Sequence, residues 1–190
     1  MSESGLDFTL AIGGAAGQGI ATPGNILARI FARRGLHLYA YNAYQSIIRG
    51  GHIFLTVRVR EKELETHGDG IDLLLCLNQD TMDRHLGILG PGARVLFNGD
   101  KIQPGEAPDG VVLCPMPVKE LTEGSKNKLI QNTVSLGVMM SLMGVDFSVL
   151  QEALELLFER KGSAVVEENV EMAGGGYEYG ASNFEPFPTP

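Results

Sequence analysis

Two stretches of this sequence carry residue types that can do chemistry. The first, Thr9 to Ile20, reads TLAIGGAAGQGI. Glycines at 13, 14, 17 and 19 let a backbone approach a ligand closely, where side chains would block it. Successive N–H groups in such a turn, leading into a helix N-terminus, make an anion site. Gly13, Gly14, Gly17, Gln18 and Gly19 are therefore candidates for holding a phosphate or another anion. The alternative is a turn whose glycines serve only close packing. The second stretch is Tyr44-Gln-Ser-Ile-Ile-Arg-Gly-Gly51. Arg49 offers five donors in a planar fork that suits carboxylate or phosphate, and Tyr44 and Ser46 add hydroxyls. Gly50 and Gly51 permit tight backbone geometry beside it. Its alternative is a surface loop whose arginine pairs with a partner chain.

Other chemistries are excluded by what these stretches lack. A dinucleotide fingerprint fails, because Gly17 and Gly19 fit its first two positions but Thr22 occupies the third. Tyr39-Ala-Tyr-Asn42 stands where that fingerprint needs an acidic ribose ligand. No Gly-Lys-Ser/Thr follows the turn, which removes P-loop hydrolysis. His37, His52, His67 and His85 share no spacing with cysteines or acids that would make a metal site, and His52 reads as structural. Cys76 and Cys114 lie far apart in apolar runs and read as core thiols, not as cluster or zinc ligands. No nucleophile elbow, carboxylate pair or triad stands out. No catalytic or metal-binding residue is assigned to this chain.

Charge sharpens the picture. The net charge of −8 over 190 residues argues against nucleic acid as a partner. It is uneven: residues 1 to 60 hold six Lys or Arg and two Asp or Glu, while residues 61 to 190 hold nine and twenty-one. The glycine-rich, basic part is the natural face for an anionic ligand. The plainer reading is that Arg29, Arg33 and Arg34 decorate a solvated helix. No run nears 18 apolar residues, and MSESGLDF is not a signal peptide, so no membrane partner and a reducing, cytoplasmic setting are expected.

The elements that must position these stretches follow from periodicity. Phe8 to Ile12 reads as a central parallel strand, apolar on both faces. Thr22 is expected to cap a helix from Pro23 to Arg34, with Ile26, Leu27, Ile30 and Phe31 buried and Gly35 as the stop. His37 to Tyr41 is the second strand, expected to pair with the first in parallel. His52 to Arg60 alternates as a strand, and Glu61 to Gly70 is a turn with a short strand. Ile71 to Leu77, Ala93 to Asn98 and Val111 to Cys114 are further strands, the last broken by Pro115 and Pro117. Thr81 to Leu89, Asn127 to Met143, Phe147 to Glu159 and Ser163 to Ala173 read as helices. Gly174-Gly175-Gly176 and three later prolines then suggest a linker or arm. Four of the seven methionines fall between 116 and 143 and read as core filling rather than an interface. The fold expected is three-layer α/β, a mostly parallel sheet with a Rossmann-like opening and C-terminal helices. Residues 1–176 form its domain and 177–190 a Pro-containing tail.

Several ordered motifs carry a family resemblance. Ile12-Gly-Gly-Ala-Ala-Gly-Gln-Gly-Ile20, Gly24-Asn-Ile-Leu-Ala28, Tyr44 to His52 and Val57-Arg-Val59 resemble the gamma domain of 2-oxoacid:ferredoxin oxidoreductases. Ile71 to Leu77, Gly92-Ala-Arg-Val95, Glu168-Asn169 and Gly176-Tyr-Glu-Tyr179 continue the likeness over residues 8 to 180. Ala16 departs from it, where the family usually has another glycine. The resemblance implies one part of a larger enzyme, inactive alone. That enzyme oxidatively decarboxylates a 2-oxoacid, forms an acyl-CoA and passes electrons through [4Fe-4S] clusters to ferredoxin. Thiamine diphosphate and Mg2+ would be held by alpha and beta subunits, the alpha part in some cases fused to the gamma domain. The Ser-Ile-Ile-Arg-Gly-Gly form looks most like the 2-oxoglutarate branch. By the same resemblance Tyr44, Ser46, Ile47, Arg49, Gly50 and Gly51 would contact substrate or CoA. Pyruvate or arylpyruvate enzymes, or a stand-alone nucleotide-binding or scaffold domain, are the competing readings.

Overall fold

The computed structural model of the chain describes residues 6–44 and 51–187. These fall into two compact units that meet in sequence between Met116 and Pro117. The first is an α/β unit of the expected class, with a mostly parallel sheet flanked by helices. The second is a C-terminal helical group.

The sheet of the first unit has six strands: β1 (Asp7–Ala15), β2 (His37–Tyr44), β3 (His52–Arg60), β4 (Leu73–Cys76), β5 (Arg94–Asn98) and β6 (Val112–Met116). Their spatial order is β2-β3-β1-β4-β5-β6, with β1, β4, β5 and β6 paired in parallel and β3 antiparallel to both its neighbours. The expected β1–β2 pair does not form, because β3 lies between them. The burial pattern gives the reason. β3 hides Leu55, Thr56, Val57 and Val59, whereas six of the eight residues of β2 are exposed. The more apolar strand takes the interior place and the polar one takes the edge.

β1 runs on through Gly13 and Gly14 to Ala15, further than its apolar run suggests, because Phe54, Ile53 and His52 of β3 pair with those residues. Leu10, Ala11, Ile12 and all of β4 are fully or almost fully buried. Each such leucine contributes roughly 2 kcal/mol of burial free energy. No strand forms between Glu61 and Gly70. Pro115 does not end β6. The Val112 N–H bonds the Ala93 carbonyl, so with period two the nitrogens of Leu113 and Pro115 face away from β5 on this outer strand. A missing N–H costs nothing there.

Helix α1 (Ala21–Arg33) buries Ile26, Leu27, Ile30 and Phe31 as expected. Its cap differs: Ile20 occupies that position, no side chain caps the turn, and the Thr22 N–H bonds the Gly19 carbonyl instead. Arg29, Arg33 and Arg34 are exposed on it. Helix α2 (Gln79–His85) is properly capped, since Asn78 accepts from the Thr81 N–H.

The helical unit contains α3 (Val118–Leu121), α4 (Ile130–Leu142), α5 (Phe147–Phe158) and α6 (Ser163–Asn183). Met139 and Met140 are fully buried, in keeping with a core role. The glycines expected to end the last helix lie inside it instead. A Cβ at Gly176 would strike the Val134 carbonyl of α4, and one at Gly137 of α4 would strike the Ala173 carbonyl of α6. The glycines therefore let two backbones touch, and packing overrides their poor helix propensity. Inside this seam Thr133 Oγ1 donates to Asn169 Oδ1 at 2.8 Å, and Asn169 Nδ2 donates to the Val165 carbonyl. No described helix is long and apolar enough to cross a membrane.

Candidate functional site

The outgoing connection of β1 leads through α1 towards β2, on one side of the sheet order. That of β4 leads through α2 to β5, on the other. Adjacent parallel strands that part in this way open a crevice at their carboxyl ends, where ligands of such sheets bind. Gly13 pairs with Cys76 at that end, and the Leu77 N–H bonds the Gly13 carbonyl.

The glycine turn sits on this crevice, and its glycines divide by job. A Cβ on Gly13 would collide with Thr81 of α2, and one on Gly14 would lie 2.9 Å from Gln18 Oε1 and 3.1 Å from Leu77 Cβ. Those two serve packing. Gly17 and Gly19 have φ of +89° and +77° and serve the backbone path, since side-chain residues resist that region. Space beside Gly17 is open, with no atom within 4 Å of a hypothetical Cβ. Close packing thus accounts for Gly13 and Gly14, and the path of the backbone for Gly17 and Gly19.

The Gln18 side chain braces the turn. Its Oε1 accepts from the Ala15 N–H at 2.6 Å and from Asn78 Nδ2 at 3.1 Å, and its Nε2 donates to the Leu77 carbonyl at 3.1 Å. Asn78 Oδ1 in turn accepts from both the N–H and the hydroxyl of Thr81. One network fixes the ends of β1 and β4 and the start of α2. The Asn78 cap was readable from a polar residue ahead of a helical pattern, but its link to Gln18 spans 60 residues and left no local signal.

The second stretch connects β2 to β3 at the same end. Tyr44 closes β2 opposite Ile53 and is exposed, and the Gly51 carbonyl accepts from the Ala16 N–H at 3.3 Å. The described ends of both stretches therefore meet at the sheet's carboxyl edge. Ser46, Ile47, Arg49 and Gly50 lie outside the described residues.

A histidine pair next to the turn went unread in the sequence. His52, opposite Ala15, places Nε2 2.9 Å from His85 Nε2, and its Nδ1 lies 3.3 Å from Asp80 Oδ2. The His85 ring stacks on Phe54 at 3.9 Å, and Arg84 Nε donates to Asp80 Oδ1 at 2.8 Å. Burial pushes His85 down to about 4, helped by the neighbouring His52 and Arg84 and opposed by Asp80. Burial also lowers His52, against the pull of Asp80. Strand-to-helix pairs like this, 33 residues apart, have no sequence spacing to betray them.

The outer strand β2 adds an exposed aromatic face. Tyr39 and Tyr41 point to one side, and the Tyr41 ring stacks on His67 at 5.2 Å. Burial raises both thiols, Cys76 to about 12 and Cys114 to about 11, so they stay protonated core groups. Among the described residues no group of three or more His, Cys, Asp or Glu can hold a metal ion. This donor set does not fit an iron–sulfur cluster, and none is assigned to the chain.

The family described as Pyruvate ferredoxin/flavodoxin oxidoreductase matches residues 9–179. Ketoisovalerate oxidoreductase subunit VorA of Methanothermobacter thermautotrophicus is 28% identical over 182 residues, which is 94% of this chain and 38% of VorA. The solved 2-oxoglutarate:ferredoxin oxidoreductase of Magnetococcus marinus, with 2-oxoglutarate, coenzyme A and succinyl-CoA bound, superposes with a TM-score of 0.85 and 26% identity. That match covers 95% of this chain and 33% of the other. A keto/oxoacid ferredoxin oxidoreductase gamma subunit of Geobacter sulfurreducens shares the fold, with a TM-score of 0.72 at 24% identity, over 92% of this chain and 99% of the other. This chain thus spans 38% of VorA and 33% of the Magnetococcus chain.

Proposed function

The chain belongs to the pyruvate ferredoxin/flavodoxin oxidoreductase family, and from that premise we propose that it serves as the gamma-type domain of a 2-oxoglutarate:ferredoxin oxidoreductase. The overall reaction converts 2-oxoglutarate and CoA to succinyl-CoA and CO2, with two electrons passing to ferredoxin. Alpha and beta parts of the assembly supply thiamine diphosphate, Mg2+ and [4Fe-4S] clusters. The observation that carries the reading is the likeness to the Magnetococcus enzyme over nearly the whole chain. The Ser46-Ile-Ile-Arg-Gly-Gly51 sequence supports the same branch.

In this reading the chain binds and orients, and does not carry the bond changes. Arg49 pairs with the distal carboxylate of the 2-oxoacid or with CoA phosphate, with Tyr44 and Ser46 as hydroxyl donors. A bidentate pair of that kind is worth about 1.5–3 kcal/mol. The open side of Gly17 and the turn to Gly19 are suited to a phosphate passing close to backbone. Gln18, braced by three hydrogen bonds, keeps that turn in place rather than touching ligand.

The test is to isolate the native protein with whatever co-purifies and to assay ferredoxin reduction with several 2-oxoacids, each with and without CoA. CoA-dependent turnover of 2-oxoglutarate is expected. The likeness to VorA favours one second reading, a branched-chain 2-oxoacid, and preference for 2-oxoisovalerate in that assay selects it. Absence of any partner and of turnover rejects both. In the active complex, Arg49→Ala is expected to raise KM for 2-oxoglutarate or CoA by about tenfold. Unchanged KM for both, with unchanged kcat, sinks the role given to Arg49.

A further inference from the structure

A hydrogen bond between two Nε2 atoms at 2.9 Å holds one proton, so one ring donates and the other accepts. The charge of Asp80 favours one order. Asp80 Oδ2, 3.3 Å from His52 Nδ1, favours the His52 proton on that nitrogen. His52 Nε2 then presents a lone pair, and His85 must donate to it. Arg84 holds Asp80 in place, and the Phe54 face holds the His85 ring flat. Nδ1 of both rings is buried and outside hydrogen-bond geometry, so it is the Asp80 carboxylate, 3.3 Å from His52 Nδ1 alone, that separates the two tautomers. The order of protons therefore runs from α2 into the first residue of β3.

That first residue has a special place. His52 pairs with Ala15, and Gly51 just before it accepts from Ala16. Both contacts lie where the glycine turn meets the returning end of the Tyr44–Gly51 stretch. We propose that His85 is a positioning residue: by donating from Nε2 to His52 Nε2 it locks His52 in its Nδ1–H form and pins Gly51–His52 to α2 beside the glycine turn. This deepens the proposed function and rests on its reading that the Tyr44–Gly51 stretch meets the 2-oxoacid or CoA.

Two variants separate donor from bulk. His85→Gln keeps an N–H donor, and His85→Phe keeps a ring against Phe54 without a donor. The first readout is the imidazole ¹⁵N spectrum of the full chain, whose four histidines make His52 assignable. The second is KM against kcat for 2-oxoglutarate and CoA in the co-purified complex. Wild type and His85→Gln are expected to show His52 as Nδ1–H with matching kinetics. His85→Phe is expected to mix the His52 tautomers and to raise KM about fivefold with kcat little changed, the scale of one lost hydrogen bond. His52 found as Nε2–H in wild type overturns the proposal, whether or not either variant folds, and so does an unmoved tautomer in His85→Phe. A shifted tautomer with unchanged KM instead overturns the substrate reading of the stretch and leaves the hold of His85 on His52 standing.

Discussion

Gln18 donates to the Leu77 carbonyl at 3.1 Å and, through its other amide atom, takes the Ala15 N–H at 2.6 Å. One side chain thus closes the carboxyl ends of two parallel strands. Gln18→Ala leaves part-buried backbone groups without that partner, at a cost of about 1–3 kcal/mol. Urea unfolding of the variant is expected to show a lower midpoint with an unchanged slope. A midpoint equal to wild type would mean that water replaces the brace.

The glycines of the same turn should rank by what surrounds them. Gly17→Ala meets open space and suffers only its positive φ, about 1–2 kcal/mol. Gly13→Ala drives a methyl group into Thr81, fully buried at the start of α2, and should cost more, about 3 kcal/mol. Thermal denaturation of the pair gives the order directly. A reversed order removes the division between packing and backbone glycines.

A sharper contrast lies in α6. Gly175 faces open space with ordinary helical backbone, so Gly175→Ala should stabilise by about 0.5–1 kcal/mol. Its neighbour Gly176 abuts the Val134 carbonyl, so Gly176→Ala should destabilise by several times that, about 3 kcal/mol. Calorimetry of both variants measures opposite signs at adjacent positions. Equal shifts would show that the α4–α6 seam relaxes freely.

Acid should loosen the histidine pair. The His85 value falls from 6.5 in the unfolded chain to about 4 in the folded one. The unfolded state therefore binds the proton first as pH drops. The stabilisation is complete above pH 6.5, shrinks below it, and is lost once pH passes through about 4. For a ring only partly shielded from water the amount is roughly 1 kcal/mol. Subtracting the stability curve of His85→Gln from that of wild type, point by point over this range, isolates it from the carboxylates. A flat difference would remove the pair as its source.

Local patterns made much of this fold legible. The buried face of α1, the alternation of β3 and the apolar runs of β4 and β5 all follow from spacing of apolar residues. What escaped was set by distant neighbours. Gly174 to Gly176 look like a helix end until Val134 is seen to need the room. Pro115 looks like a breaker until β6 is seen to be an edge. β1 and β2 look like partners until the more apolar β3 claims the space between them. At the site, the two motif stretches were visible one by one. Their meeting through Ala16 and Gly51, and the clasp of His52 by His85, depended on register across the sheet.

The insertion of β3 between two earlier strands also governs synthesis. A growing chain that has emerged only as far as Tyr44 already contains β1, α1 and β2, yet the strand that joins them is still inside the ribosome. β1 has no neighbour until His52–Arg60 follows, and its second neighbour arrives only with Leu73–Cys76. A nascent fragment cut before residue 52 therefore carries two strands and no sheet, exposed to chaperones for as long as translation takes to deliver the third.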